Sequence, residues 1–202
     1  MKTNRILLIV ILIAIGSIVA YMMNVSQKKQ AFTDEIVAYW EWNNNFLKTS
    51  NSSPVKDKEH FTDIEYFEPQ LDYRVTAKVE LIKGNEIIEL QTSDKQIRRY
   101  LKYAKLHFSL LDKAQQLTLF QNVSDKSDYF LPFFDLTNGV TTYGAGRYLN
   151  VKVKSIKNIE LDFNKAISPY CAYNEDYSCP IPPKENFLRM QVLAGQKYIV
   201  KN

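Results

Sequence analysis

Apolar and polar positions divide the chain into three stretches with different periods. From Ile6 to Met23 no charged residue occurs, only apolar side chains with Gly16 and Ser17 among them. A charge-free run of about 18 residues is the length at which an α-helix crosses the hydrocarbon core of a bilayer. Residues 24–32 are polar and predict a short tether. Thr33 is placed to cap a second helix, with Asp34 and Glu35 in its first turn, where carboxylates meet the positive end of the helix dipole. Ile36, Tyr39, Trp40, Asn43, Phe46 and Leu47 then share one helical face up to Lys48, an aromatic stripe read as core packing.

Beyond the polar loop Thr49–Pro54 the period shortens to two. Val75–Leu81 alternates, Lys83-Gly84-Asn85 turns and Ile87–Thr92 returns, which predicts a hairpin; Leu106–Leu110 pairs in the same way with Leu117–Phe120 across Asp112-Lys113. Further strands are predicted at Phe130–Asp135, Val140–Tyr143, Tyr148–Val153, Ile159–Phe163, Met190–Leu193 and Tyr198–Val200, with Asn138-Gly139 and Ala194-Gly195 as tight turns. The expected fold is mainly β, of the α+β class: an antiparallel β-sandwich or partly open barrel, one packed N-terminal amphipathic helix, and a transmembrane helix before it. The expected organisation is a signal-anchor over residues 1–23, a tether over 24–32 and a single globular domain over 33–202.

Composition sharpens this picture in two ways. Hydrophobic residues make up 46% and aromatic residues 13% of the chain, enough to bury a core, so a disordered chain is excluded. The net charge of +4 is spread among interleaved acids and bases. The concentrated basic face of a nucleic-acid binder is therefore missing. Lys2 and Arg5 precede the apolar run, and positive residues stay on the cytoplasmic side, so the remaining chain is expected outside the cytoplasm on a single-pass anchor. Ile18 and Ala20 stand where a signal peptidase reads, which keeps a cleaved signal as the alternative.

Candidate chemistry concentrates between Phe133 and Asn186. Gly144-Ala145-Gly146-Arg147 is not a dinucleotide fingerprint, because Leu149 replaces its third glycine and no helical pattern follows. The two glycines either relieve a crowded backbone crossing or let a ligand approach, with Arg147 as a forked donor for an anion and Tyr143 and Tyr148 as pocket walls. Arg147 has Asp135 and Asp162 as alternative partners. Cys171 and Cys179 have seven residues between them. Outside the cytoplasm such a pair reads first as a disulfide, whose closure contributes about 2.6 kcal/mol on the chain-entropy estimate. Free thiols are the alternative; a metal site needs more ligands than two thiolates with His60 and His107, neither suitably spaced. No metal or other cofactor is expected. Pro169, Pro180, Pro182 and Pro183 stiffen the cysteine region and keep it off the central strands.

The same residues resemble a known family. Phe134-Asp135-Leu136-Thr137-Asn138-Gly139 leads into Thr142-Tyr143-Gly144-Ala145-Gly146-Arg147-Tyr148-Leu149, followed by Leu161-Asp162-Phe163-Asn164-Lys165-Ala166, Pro169-Tyr170-Cys171-Ala172-Tyr173-Asn174, Tyr177-Ser178-Cys179-Pro180, Pro182-Pro183, Glu185-Asn186 and Ala194-Gly195. In this order they resemble the bacterial domain of unknown function 1684 family, firmly over about the last seventy residues and more loosely at Ser53-Pro54, Tyr66-Phe67 and Tyr73-Arg74-Val75. That resemblance implies membership and no mechanism.

From the residues themselves, the leading expectation is a membrane-anchored, envelope-facing module that binds a small molecule, glycan or peptide. Its site would comprise Tyr143, Gly144, Gly146, Arg147, Tyr148, Asp162, Asn164 and Tyr173, beside the Tyr170–Cys179 loop. One alternative is a hydrolase or transferase using Asp135, Asp162 or Glu185 near Arg147. Another is a structural subunit of an envelope assembly, partnered by an envelope protein.

Overall fold

A computed structural model describes residues 2–153 and 155–198, with side chains from residue 11 onward. Helix α1 runs unbroken over Lys2–Thr49. At 1.5 Å per residue its 48 residues span about 72 Å. Residues 24–32 are thus helical, and Thr33 lies inside the helix instead of capping one. The physical reason lies in Ser26-Gln27-Lys28-Lys29-Gln30-Ala31, polar but made mostly of strong helix formers, with the first proline of the chain only at Pro54. Gln30 also donates to the Asp34 carboxylate one turn on, at 2.7 Å.

Among the residues with described side chains, only the last third of α1 packs. Phe32, Ile36, Asn43 and Leu47 are buried, while the apolar residues from Ile11 to Val25 stay exposed. The Trp40 indole N–H donates to the Asn164 carbonyl at 2.9 Å, its ring stacks 4.6 Å from Tyr66, and the Arg74 guanidinium lies 4.6 Å over the Phe32 ring. The helix stops where Ser53 turns its hydroxyl back to the Leu47 carbonyl, at 2.6 Å.

Eight strands follow: β1 (Arg74–Leu81), β2 (Ile87–Gln91), β3 (Ile97–Leu110), β4 (Lys113–Asn122), β5 (Tyr129–Asp135), β6 (Arg147–Leu149), β7 (Asn158–Asp162) and β8 (Phe187–Leu188). They form one mostly antiparallel sheet in the order β6-β5-β4-β3-β1-β7, curled into a half-barrel, with β8 added parallel to β5. The β3–β4 hairpin forms, but its turn is Leu111-Asp112, one residue earlier than predicted, so Leu106 stands opposite Leu117 rather than Leu119. Both turn residues have positive φ, 49° and 59°, the left-handed values a two-residue hairpin turn demands.

The predicted hairpin between β1 and β2 does not form. Both strands run antiparallel to β3, end to end along one edge: Lys78–Leu81 opposite Ala104–His107, and Ile87–Gln91 opposite Ile97–Leu101. Strand β3 has 14 residues, long enough to carry both, and a bulge between Lys102 and Ala104 divides its two halves. Gly84 at φ +97° kinks the link instead of reversing it.

Val140–Tyr143 is a turn, not a strand, because the Thr137 carbonyl gathers the amides of Val140, Thr141 and Thr142. The strand predicted at Tyr148–Val153 is confined to β6, and Met190–Leu193 is irregular. At Tyr198–Val200, Tyr198 is irregular and the other two lie outside the described residues. The main core lies inside the half-barrel, built by Leu106, Leu110, Leu117, Leu119, Leu131, Phe133, Leu161 and Phe163. Leu90, Tyr100 and Phe120 make a smaller cluster.

Two buried asparagines complete the sheet where strands part. The Asn186 amide donates to the carbonyls of Thr118 and Pro132 and accepts the Thr118 N–H, bridging β4 to β5 beyond their short ladder. Asn164 pairs likewise with both backbone groups of Gln70, at 2.9 Å each. A carboxamide carries the same donor and acceptor as a peptide, so each stands in for a missing strand residue.

Candidate functional site

The half-barrel leaves a seam between its terminal strands. A cleft of about 600 Å³ occupies it, walled by Leu149–Lys152 at the end of β6, by β7, and by Tyr39 and Trp42 of α1. Alternation along β7 buries Ile159 and Leu161 as the floor and turns Asn158 and Glu160 outward as the rim. Asn150 and Lys152 make the opposite rim. Trp42 is 60% exposed, a large apolar ring left open at the mouth. Its ring lies 5.9 Å from Tyr39 and stacks 6.0 Å from Phe46, so three aromatics run in a row along this flank of α1. The Lys165 ammonium sits 5.7 Å over the Tyr39 ring. Burial, helped by the nearby Asp162 charge, pushes the Tyr39 hydroxyl up to about 12, so it stays a neutral donor.

The structure separates the residues that the sequence had grouped. Arg147 is fully buried and does not face a solute. Its guanidinium donates to the Asp135 carboxylate at 2.7 Å and to the carbonyls of Ala194 and Val192 at 2.5 and 2.9 Å. Asp135 is the partner chosen from the two alternatives. Its other oxygen accepts the Thr137 amide and hydroxyl and the Val192 amide. Gly146 adopts φ +93°, and a Cβ there would lie 2.6 Å from the Pro182 ring, which identifies it as a close backbone crossing rather than a ligand approach. Gly144 has no such crowding; only the Gly139 backbone lies within 4 Å of its Cβ position.

Asp162 reaches the cleft wall, but its carboxylate is paired with Arg74 at 2.8 Å and caps the turn at Asn164. Asn164 is the buried peptide mimic described above. Tyr148 donates to the Pro180 carbonyl at 2.5 Å and packs edge-on to Phe130. Tyr173 is hydrogen-bonded to Gln196 and lines a second groove, against residues 55–65. The carboxylates of the hydrolase alternative do not converge: Asp135 meets Arg147, Asp162 meets Arg74, and Glu185 meets Lys102.

Tyr143 and the cysteines form a separate cluster. Both cysteines are free thiols. The Tyr143 hydroxyl lies 3.9 Å from the Cys171 sulfur, and its ring packs edge-on to Tyr198. No group of three or more metal-ligating side chains occurs among the described residues.

Sequence reasoning missed Tyr39, Trp42, Asn150, Lys152, Asn158, Glu160 and Lys165 as one group. Tyr39 reads as part of the core stripe, as its place beside Ile36 and Asn43 on the helical face suggests. Trp42 carried a usable signal, because it falls outside the helical face that Ile36, Asn43 and Leu47 define. The strand residues carried none, since their meeting across the seam depends on sheet closure.

Helix α1 is also long and apolar enough to cross a membrane by length and composition. A match to the solution NMR structure of an uncharacterized protein from Haloarcula marismortui has a TM-score of 0.68 at 34% identity, covering 87% of this chain and 99% of that one. No match was found among the curated proteins. The model of the family described as "Protein of unknown function (DUF1684)" matches residues 59–197, from the irregular segment before β1 to the end of the half-barrel, and the chain belongs to that family.

Proposed function

We propose that this protein is a membrane-tethered binding module, its half-barrel outside the cytoplasm, that takes a small polar solute with one flat apolar face, such as a sugar ring, in the seam cleft. The observation that carries this reading is the exposed Trp42 beside Tyr39, facing a rim of Asn150, Lys152, Asn158 and Glu160 across an apolar floor. Aromatic rings supply contact area to the flat face of a ring, and amide and charged side chains supply directional hydrogen bonds to its hydroxyls. The volume suits one or two such rings, within the 300–1,000 Å³ typical of ligand pockets, about 600 Å³ here. The uncharged span behind Lys2 and Arg5 supports the tether and its orientation.

The test is native mass spectrometry of the full chain released from its own membranes, followed by tryptophan-fluorescence titration with mono- and disaccharides. The expected result is a retained or titratable solute whose binding falls at least about tenfold in Trp42→Ala, with the circular dichroism unchanged. A wild-type protein that carries nothing and responds to no saccharide at millimolar concentration would overturn the reading.

A further inference from the structure

Away from the seam, the cysteine cluster has an asymmetry that a structural staple does not need. Cys179 is buried at 8% exposure, and its backbone is clamped on both sides by Ser93: its N–H donates to the Ser93 hydroxyl at 3.1 Å, and its carbonyl accepts the Ser93 N–H at 2.9 Å. Cys171 is half-exposed on the single 3₁₀ turn Tyr170–Ala172. Its own N–H donates to the Cys179 sulfur at 3.2 Å, so the two thiols lie side by side. Cys179 is thus the more buried and the more firmly held of the pair, and Cys171 the more accessible.

We propose that Cys171 and Cys179 are a reversible dithiol–disulfide couple that exchanges with disulfide substrates, Cys171 being the attacking sulfur and Cys179 the resolving one. The Cys171 thiolate attacks one sulfur of a substrate RSSR, forming a mixed disulfide and expelling RS⁻. Cys179, as it loses its proton to solvent, attacks the Cys171 sulfur of that mixed disulfide, closing the Cys171–Cys179 bond and expelling the second RS⁻. Two electrons pass from the protein to the substrate, and two thiols leave once RS⁻ is protonated. The reverse sequence reduces the protein.

The surroundings favour that division of labour. A hydrogen bond from the Cys179 thiol, assisted by Ser93 and Tyr143, lowers the pKa of Cys171, and the same shared proton together with burial raises that of Cys179. Thiolate character therefore collects on Cys171, the more accessible residue of the pair.

The experiment equilibrates the full chain, in detergent, across ratios of reduced to oxidised glutathione, traps thiols by alkylation and reads each cysteine by mass spectrometry. The wild type is expected to pass between dithiol and internal disulfide within the range, with reduced Cys171 alkylated about tenfold or more faster than Cys179. Cys179→Ser is expected to accumulate a glutathione mixed disulfide on Cys171. A disulfide that persists at the most reducing ratio, or a dithiol that persists at the most oxidising one, would overturn the proposal. Equal alkylation of the two reduced sulfurs would overturn the assignment of roles. The wild-type titration needs no substitution, so a variant that fails to fold leaves it decisive.

Discussion

Arg147 shows how much one side chain can decide. A guanidinium with no solvent contact is rare, because burying an unpaired charge is far more unfavourable than any packing it gains. Here the charge is met by Asp135, with both side chains at 0% exposure, and the two Nη groups also reach the carbonyls of Val192 and Ala194, while the buried Nε–H has no partner among the described residues. One residue thus ties β6, the end of β5 and an irregular strand-like segment into a single unit. Arg147→Ala is expected to destabilise the fold by about 3–5 kcal/mol, since Asp135 would remain buried without its counter-charge. Urea unfolding of the full chain in detergent checks this, and a loss below about 1 kcal/mol would contradict the architectural role. The Asp135 partner was legible in the sequence as one of two alternatives. Burial was not, because it depends on carbonyls near Val192 that no local pattern marks.

Among the elements, α1 docks through charge as well as through its apolar face. Glu35 accepts two bonds from the Arg74 guanidinium, at 2.9 and 2.8 Å, and one from Lys165 at 2.5 Å. The hydrogen bonds from Arg74 and then Lys165 lower its pKa from 4.5 to about 2. A depressed carboxylate contributes stability that is fully present above its unfolded pKa, near 4.5, and is lost as pH falls toward 2. Because Glu35 is 49% exposed, solvent screens most of this, leaving about 1 kcal/mol. Glu35→Gln should therefore weaken the fold by about 1 kcal/mol at pH 7 and by almost nothing at pH 2, measured by urea unfolding at both values. An equal deficit at both would assign the effect to packing instead. Periodicity located α1 and most of the strands, since helix and strand alternation are local properties. Pairing was less legible: β1, the Gly84 link and β2 read as a hairpin, and only the length of β3 made them collinear.

For the whole molecule, the arrangement of helix and sheet matters more than either alone. The apolar part of α1 continues into the docked part without a break. Residues 24–31 make few contacts with the sheet, and their order rests on the helix continuing at both ends. Hydrogen exchange of the full chain in micelles is expected to show these amides protected at least about a hundredfold over an unstructured peptide, as continuous helix requires. Exchange at the unstructured rate would contradict a continuous helix. The same whole-molecule geometry makes the seam cleft, since β6 and β7 follow one another in the chain yet stand at the two ends of the strand order.

The sequence by itself determined the charge-free span, the amphipathic face of α1, the antiparallel class, the β3–β4 hairpin and the family membership. All of these follow from residue period or local order, which act over a few positions. Only the tertiary structure decided that Arg147 is a buried tie, that Asn164 and Asn186 replace missing peptides, that the two thiols differ in exposure and that Trp42 faces the ends of β6 and β7. Each of these depends on which distant segments meet when the sheet curls, and that is set by packing of the whole core rather than by any single stretch of chain.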